Sequence, residues 1–279
     1  DKLAELLNIW SRAPRLEKWE HIAEKVLRPT KGEVKIGVVG KYVELQESYK
    51  SLNEALIHGG IANDVKVKLC FVDSTELEQK GPDELLSEMD AVLVPGGFGI
   101  RGTEGKILSC QYARTKKVPF FGICLGLQMA VIEYGRNVLG LANANSLEFD
   151  EATPHPVVTL MESQKGVSAK GGTMRLGSYA CQLKSGSLAQ RLYGAPMVQE
   201  RHRHRFEFNN KYRESYEQGG MVFSGINPEL NLVEMIELSD HPHFVGCQSH
   251  PEFKSKPFAP HPLFSGFIKA AVDFRDRVR

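Results

Sequence analysis

Short apolar runs alternate with amphipathic runs between residues 34 and 123. The apolar runs are VKIGVVG, VKVKLCFVD, DAVLVP and VPFFGI, and the segments between them carry apolar residues at helical spacing, as in SYKSLNEALIHGG and GKILSCQYARTKK. A further, more polar helix is predicted near residues 75–88. Strands that alternate with helices need right-handed crossovers, which place the strands side by side in a parallel sheet. This order predicts an α/β fold with a doubly wound, mostly parallel sheet and helices on both faces.

The sequence changes character on either side of this segment. After Ala142 the apolar runs become shorter and more alternating, as in PVVTLM, SYACQL, GMVFSG, LVEMIEL and HFVGCQ, which predicts an antiparallel extension of the sheet. Before residue 34, two short amphipathic patterns predict a helical linker arm over residues 1–33. We therefore expect one domain over residues 34–279, preceded by that arm.

Charge and cysteine content exclude several classes of protein. The chain carries 35 Lys and Arg against 34 Asp and Glu, so no overall field favours nucleic acid or an anionic membrane, and we expect neither as a partner. The five cysteines are odd in number and lack CxxC spacing, which argues against a disulfide framework and a zinc cluster and favours a cytoplasmic protein. No apolar run approaches the roughly 20 residues that span a bilayer.

One cysteine lies between two glycines at the end of an apolar run. The stretch Gly122-Ile123-Cys124-Leu125-Gly126 has the spacing of a nucleophile elbow, G-x-S-x-G, with sulfur in place of oxygen. A nucleophile on so sharp a strand-to-helix turn brings its neighbours close to other backbone, where a Cβ would clash. The same turn points the Leu125 N–H at a developing oxyanion. By itself the motif is equally compatible with a buried structural cysteine in a βα turn.

A cysteine nucleophile needs a base, and the base needs an orienting group. His250 and Glu252 stand two residues apart just beyond the strand HFVGC, and Pro251 fixes the link between them. Their side chains can therefore reach one pocket, where His250 would take the thiol proton and Glu252 would hold the imidazole tautomer. A lone His-Pro-Glu is also typical of a surface turn, and the elbow cysteine favours the catalytic interpretation.

A glycine-rich loop follows the strand DAVLVP. The stretch Pro95-Gly96-Gly97-Phe98-Gly99-Ile100-Arg101-Gly102 contains G-x-G-x-x-G, the dinucleotide-binding pattern. The end of the next strand offers Gly122 and Cys124 instead of the acidic residue that would bind a ribose, so we exclude that function. The Gly97 backbone would instead supply a second N–H to the oxyanion. A P-loop is also excluded, because Gly40-Lys41 and Gly105-Lys106 are followed by Tyr and Ile.

Together, PGGFG, GICLGLQ and HPE resemble the class I glutamine amidotransferases over residues 34–279. The stretches NANSLEF, GGTMRLG and RHRHRFEFN are similar to those of one branch, the glutaminase domains of CTP synthases. The resemblance implies that Cys124 attacks the side-chain amide of L-glutamine, releases ammonia and forms a γ-glutamyl thioester that water cleaves, with His250 and Glu252 completing the triad. It implies no metal or other cofactor for this domain.

The resemblance also assigns the residues that would contact glutamine. They are Gly97, Leu125, Gly126, Leu127, Gln128, Glu148 and Arg205. Glu148 suits the ammonium group of the substrate and Arg205 suits its carboxylate, because a zwitterion needs both charges matched. Gly97 and Leu125 would also form the oxyanion hole.

Two basic stretches allow more than one interpretation. In RHRHRFEF, alternation places Arg201, Arg203 and Arg205 on one face of a strand, which favours a solvated edge or a phosphate-binding patch. Metal binding by the two histidines of that stretch is disfavoured, since three guanidinium groups would repel a cation. Arg175 in GGTMRLG is predicted to take part in the response to GTP, an allosteric effector in the family. A salt-bridged turn arginine is the alternative.

The resemblance implies a larger enzyme. Family members make CTP from UTP, ATP and glutamine with an N-terminal synthetase domain, which holds ATP and Mg and receives the ammonia, and they form homotetramers. The chain lacks that domain and an initiator Met, so we expect a piece of a longer protein whose arm would join the two domains. Three alternatives stay open: a glutaminase subunit of another amidotransferase, a γ-glutamyl hydrolase, and a catalytically silent assembly or regulatory module.

Overall fold

A nine-stranded sheet forms the centre of the molecule in the computed structural model, which describes residues 2–9, 15–41, 49–160 and 174–278. Its strand order is β2-β1-β3-β4-β12-β11-β10-β7-β8, and β5, β6 and β9 form a second, small sheet. The strands are β1 (Glu33–Gly40), β2 (Lys66–Asp73), β3 (Ala91–Val94), β4 (Phe120–Ile123), β5 (Asn145–Ser146), β6 (Pro156–Leu160), β7 (Arg175–Leu183), β8 (Met197–His204), β9 (Phe206–Phe208), β10 (Met221–Ile226), β11 (Val233–Leu238) and β12 (Phe244–Cys247).

Helices connect and cover these strands. They are α1 (Lys2–Leu6), α2 (Glu17–Leu27), α3 (Lys50–Asn63), α4 (Ser74–Lys80), α5 (Pro82–Leu86), α6 (Thr103–Lys116), α7 (Leu125–Asn137), α8 (Leu188–Tyr193), α9 (Arg213–Gln218) and α10 (Pro262–Val278). Within the described ranges, none of them combines the length and apolar character needed to cross a membrane.

The sheet separates two hydrophobic cores. Neighbouring residues of one strand belong to different cores, as Phe120 and Phe121 of β4 do, because successive side chains of a strand point to opposite faces. Helices α6 and α7 supply one core, and α3 and α10 supply the other. Since both faces of β4 are covered by helices, its four residues are fully buried and apolar apart from Gly122. The predicted doubly wound fold is confirmed.

The sheet changes from parallel to antiparallel at one strand. Strands β2, β1, β3, β4 and β12 pair in parallel, whereas β11, β10, β7 and β8 continue the sheet with antiparallel pairs. This arrangement matches the predicted antiparallel extension. The carboxyl ends of β3, β4 and β12 therefore lie side by side, which is where ligands bind in sheets of this kind.

Two predicted elements take a different or a partly described form. The polar helix expected near residues 75–88 is two helices, α4 and α5, because Gly81 has a left-handed φ of 84° and Pro82 starts a new helix. In the predicted arm, α1 and α2 are helical and Trp19 of α2 packs edge-on against Phe258. The division into an arm and a domain at residue 33 stays a prediction.

A buried ion pair joins the two helices that support β4 on one face. Arg114 of α6 donates two hydrogen bonds to the carboxylate of Glu133 in α7, from Nε at 2.9 Å and from Nη2 at 2.6 Å. The Glu133 side chain is fully buried and that of Arg114 is 18% exposed. Such a bidentate pair fixes the distance between the helices, because both oxygens bond the same guanidinium group.

Arg114→Met is expected to lower the free energy of unfolding by about 3–5 kcal/mol, because it leaves the Glu133 carboxylate buried without its cation. Lys269→Met is the matched control: it removes one member of the exposed pair with Asp273 and should cost less than about 1 kcal/mol. Urea unfolding followed by circular dichroism measures both variants. A loss as small for Arg114→Met as for the control would contradict a structural role of the buried pair.

Candidate active site

Cys124 occupies a strained turn between β4 and α7. It adopts φ 52° and ψ −100°, a conformation that costs free energy for any residue with a side chain. Its N–H donates a 2.7 Å hydrogen bond to the carbonyl of Cys247, the last residue of β12. The residue is 3% exposed. The turn therefore holds the thiol at the carboxyl edge of the sheet, as the elbow motif predicts.

The two glycines that flank Cys124 are required by close packing. A Cβ on Gly122 would lie 2.7 Å from the carbonyl carbon and oxygen of Gly126. A Cβ on Gly126 would lie 2.1 Å from the carbonyl oxygen of Val94, at the end of β3. Both distances are far below a normal van der Waals contact, and the atoms met are backbone, which cannot turn aside. The elbow can thus form only where glycine stands on both sides.

His250 and Glu252 lie beside the thiol because β12 pairs in parallel with β4. Cys247 is in register with Ile123, so the chain that leaves β12 passes Cys124. A single 3₁₀ turn, Pro251–Phe253, then brings an oxygen of Glu252 within 2.7 Å of Nδ1 of His250. Both side chains line the same pocket as Cys124. The predicted triad residues are therefore adjacent in space.

The environment of His250 favours its protonated form. Burial lowers the pKa of His250, but hydrogen bonds with Cys124 and Glu252, together with their negative charges, raise it to about 10, from an ordinary value of 6.5. The imidazolium form therefore prevails at neutral pH, where it can stabilise a neighbouring thiolate. Since the folded-state pKa exceeds the unfolded one, this interaction stabilises the fold fully below about pH 6.5, and the stabilisation is lost as the pH rises through 10.

Two pockets meet at Cys124. One is a cavity of about 300 Å³ on the side of His250 and Glu252, which Arg203 also lines. The other is narrower and contains most of the predicted glutamine contacts; its lining residues are Gly97, Phe98, Cys124, Leu125, Gln128, Glu148, His204, Arg205 and Phe206. The predicted contacts Gly126 and Leu127 are not part of that lining: Gly126 packs on Val94, and the Leu127 side chain belongs to a hydrophobic core.

Polar groups of the narrower pocket are held by the backbone. Glu148 follows β5, and its Oε1 accepts a 3.0 Å hydrogen bond from the N–H of Gly99 in the glycine-rich loop. The side chain of Gln128 is 3% exposed and donates from Nε2 to the carbonyl of Phe206 at 2.9 Å. These contacts give the pocket a carboxylate at one end, with Arg205 in the same lining.

Strand β8 shows the predicted alternation only as far as His204, where it ends, so Arg205 lies outside the strand. Its exposed residues include Arg201 and Arg203, and its buried ones include His202 and His204. The two histidines are 3% and 2% exposed. Burial and the charge of Arg175 hold the pKa of His202 far below its usual range, so this imidazole is neutral.

No group of three or more potential metal ligands occurs within the described part of the chain.

Arg175 is buried in an ion pair. The guanidinium group is 2.6 Å from Glu234 and 3.4 Å from Glu207, and it stacks on the ring of Tyr179. Arg175 is the first residue of β7 and is 4% exposed, so it fits the alternative of a salt-bridged arginine, although it lies in a strand and not in a turn. Three residues of the same motif, 171–173, lie outside the described part of the chain.

Sequence reasoning missed Gln248. This residue is fully buried, and its Nε2 lies 3.6 Å from Sγ of Cys124. The only signal for it in the sequence is its position two residues before His250, at the end of β12. Nothing in that position alone says which group the side chain contacts.

Comparison with known proteins identifies close relatives. Residues 44–270 match the family model described as glutamine amidotransferase class-I. The chain is 61% identical over 277 residues to a CTP synthase of Geobacter metallireducens, covering 99% of this chain and 52% of that protein. It is 59% identical over 272 residues to a CTP synthase of Geotalea uraniireducens, covering 98% and 51%. The chain thus spans about half the length of the curated relatives it matches.

One solved structure is similar over most of the chain. It is the glutaminase domain of Trypanosoma brucei CTPS with bound acivicin, which superposes with a TM-score of 0.81 at 37% identity. The match covers 86% of this chain and 94% of that structure. The similarity therefore extends to nearly the whole of that glutaminase domain.

Glu252→Gln is expected to lower the pKa of His250 from about 10 toward the ordinary range, because it removes one of the negative charges that stabilise the imidazolium. NMR titration of the histidine Cε1 signals measures the change, with His250→Asn to assign the resonance. Glu54→Gln is the control, since Glu54 lies beside His58 and not beside His250. A His250 titration unchanged by Glu252→Gln would contradict this account of the pair.

Proposed function

The chain belongs to the class I glutamine amidotransferases, as a glutaminase domain of the CTP synthase type, and we propose that Cys124, His250 and Glu252 hydrolyse the side-chain amide of L-glutamine. One observation carries the proposal. The strained elbow presents the Cys124 thiol to the imidazole of His250, whose Nδ1 lies 2.7 Å from the Glu252 carboxylate. That order of nucleophile, base and orienting group is the arrangement that cysteine catalysis requires.

In the first half-reaction the Cys124 thiolate attacks the amide carbon of glutamine. The carbonyl π electrons move to oxygen, and the N–H groups of Gly97 and Leu125 stabilise this oxyanion. When the tetrahedral intermediate collapses, the carbon–nitrogen bond breaks and the His250 imidazolium gives its proton to the leaving nitrogen. The products are ammonia, a γ-glutamyl thioester on Cys124 and a neutral His250.

In the second half-reaction water cleaves the thioester. Neutral His250 accepts a proton from water as the oxygen attacks the thioester carbon, and the same two N–H groups stabilise the new oxyanion. Collapse expels the Cys124 thiolate, which regenerates the thiolate and imidazolium pair. The γ-carboxyl group of the released glutamate loses its proton to solvent, so the net reaction is glutamine plus water to glutamate plus ammonium.

The narrower pocket supplies groups for the amino acid end of the substrate. Glu148 would accept hydrogen bonds from the α-ammonium group, and Arg205 would donate to the α-carboxylate. Gln128, whose side chain is bound to the carbonyl of Phe206, would form part of the wall of this pocket. Opposite charges at two points of one pocket favour a free amino acid over a peptide-linked one.

In the full-length protein we propose that the ammonia serves the ATP-dependent amination of UTP to CTP. The 300 Å³ cavity on the His250 side would be the path by which this ammonia leaves the glutamine pocket. The acceptor would be a synthetase domain in the same polypeptide, which would hold ATP and Mg. Assembly into a homotetramer and a GTP effect on the glutaminase remain predictions from the family.

A diazo-ketone analogue of glutamine tests the proposed nucleophile. We expect one adduct on Cys124, located by peptide mass spectrometry, with none in Cys124→Ser and labelling at least about tenfold slower in His250→Ala, which lacks the proton donor. Cys110→Ser is the control, because it removes another buried thiol that lies outside both pockets. Labelling at another residue, or none, would overturn the proposal.

Glu148→Gln tests the ammonium contact. We expect the KM for glutamine to rise roughly tenfold to a hundredfold, because a charge-assisted hydrogen bond is replaced by a neutral one, while kcat changes less. Glu151→Gln, three residues further on and exposed, is the matched control. Steady-state ammonia release over a range of glutamine concentrations gives both constants. An unchanged KM in Glu148→Gln would remove Glu148 from the substrate site.

A further inference from the structure

The amide of Gln248 is directed at the sulfur of Cys124. Its Nε2 lies 3.6 Å from Sγ, a distance suited to an N–H···S hydrogen bond, and the residue has no exposed surface. Its own N–H donates to the carbonyl of Glu234 in β11 at 2.8 Å, which anchors the residue to the sheet. The donor therefore has a fixed position with respect to the thiol.

A second buried amide fixes which end of Gln248 faces the sulfur. Nε2 of Gln128 donates to the carbonyl oxygen of Phe206 at 2.9 Å, and a carbonyl can only accept. The same nitrogen lies 3.2 Å from Oε1 of Gln248, which must then be the accepting end. The NH₂ group of Gln248 is consequently the end that points at Cys124. Because the Phe206 carbonyl fixes the orientation of the Gln128 amide, and Gln128 fixes that of Gln248, the direction of each hydrogen bond in the series is determined.

We propose that Gln248 is a catalytic residue that donates a hydrogen bond to the Cys124 thiolate, with Gln128 as the positioning residue that orients it. The inference rests on the proposed function, since it gives Cys124 the part of nucleophile. Gln248 reaches the sulfur directly, and the imidazole of His250, oriented by Glu252, reaches the same sulfur separately.

The hydrogen bond acts at both ends of the reaction. Negative charge is on sulfur before the attack, and it returns to sulfur when the thioester is cleaved and the thiolate leaves. An N–H donor at a buried site stabilises that charge at both moments, because no water competes for it. Between them, in the thioester, the sulfur is neutral and the bond weakens. Thiolate formation and deacylation should therefore both depend on Gln248.

Gln248→Met tests the donor, because methionine keeps the length of the side chain and removes the amide. The rate of Cys124 alkylation by iodoacetamide, followed across pH by mass spectrometry, should fall about tenfold at pH 7, with its midpoint moved to higher pH. In glutaminase assays kcat should fall by about as much, with KM unchanged. Gln182→Met, an exposed glutamine of β7, is the matched control and should behave as wild type.

Gln128→Met separates orientation from donation. It removes the group that fixes the Gln248 amide, so the alkylation midpoint should move in the same direction as in Gln248→Met but by less. Gln248→Glu gives a further variant with the shape of glutamine and no N–H; its negative charge beside the sulfur should move the alkylation midpoint to still higher pH than Gln248→Met does. An effect of Gln128→Met larger than that of Gln248→Met would contradict the assigned order.

The outcomes distinguish this inference from the proposed function. If wild-type Cys124 is labelled by the diazo-ketone but Gln248→Met keeps the wild-type alkylation profile, the inference is wrong and the proposed function stands. If Cys124 is not labelled at all, the proposed function is wrong, and the inference about Gln248 is wrong with it. Should Gln248→Met not fold, the side-chain NH₂ signals of Gln248 in wild-type protein give the answer: they should titrate with the midpoint of Cys124 alkylation, and signals that do not respond would overturn the inference.

Discussion

The parallel pairing of β4 with β12 is the interaction on which the site depends. It joins segments about 120 residues apart in the chain, and its last hydrogen bond, from Cys124 to the carbonyl of Cys247, belongs to the nucleophile itself. A register shift of one residue would turn the chain beyond β12 to the other face of the sheet and separate the imidazole from the thiol. The buried strands on either side, and the helices that cover them, hold this register.

The interior around the site is polar, and several of its polar groups bond one another. Two glutamine amides, a backbone carbonyl and the thiol are linked by successive hydrogen bonds, and the ion pair of Arg175 with Glu234 joins β7 and β11 across the intervening strand β10. Such groups cost free energy when buried without partners, so each one restricts where the next can lie. The result is a site whose geometry is set before any substrate enters.

Short sequence motifs and hydrophobic periodicity predicted the features that depend on residues close together in the chain. The elbow glycines and the His-Pro-Glu turn were recognisable because spacing alone constrains a tight turn, and the strand and helix order followed from hydrophobic periodicity. The contacts of Gln248 and the burial of Arg175 were not predictable, because they depend on which distant strands become neighbours and in what register. Gly81-Pro82 is a local signal for the break between α4 and α5. The prediction of one helix overlooked it, because it relied on the polar composition of the whole stretch.

The hydrogen bond between Glu148 and the Gly99 amide has a consequence for discrimination. It uses one acceptor site of the carboxylate and fixes its orientation, which leaves the other acceptor sites for a ligand. An ammonium group can fill several of these sites and also matches the negative charge. An amide brings fewer donors and no charge, and a methyl group brings neither. Recognition at this end of the pocket thus depends on a carboxylate that the glycine-rich loop orients before a ligand arrives.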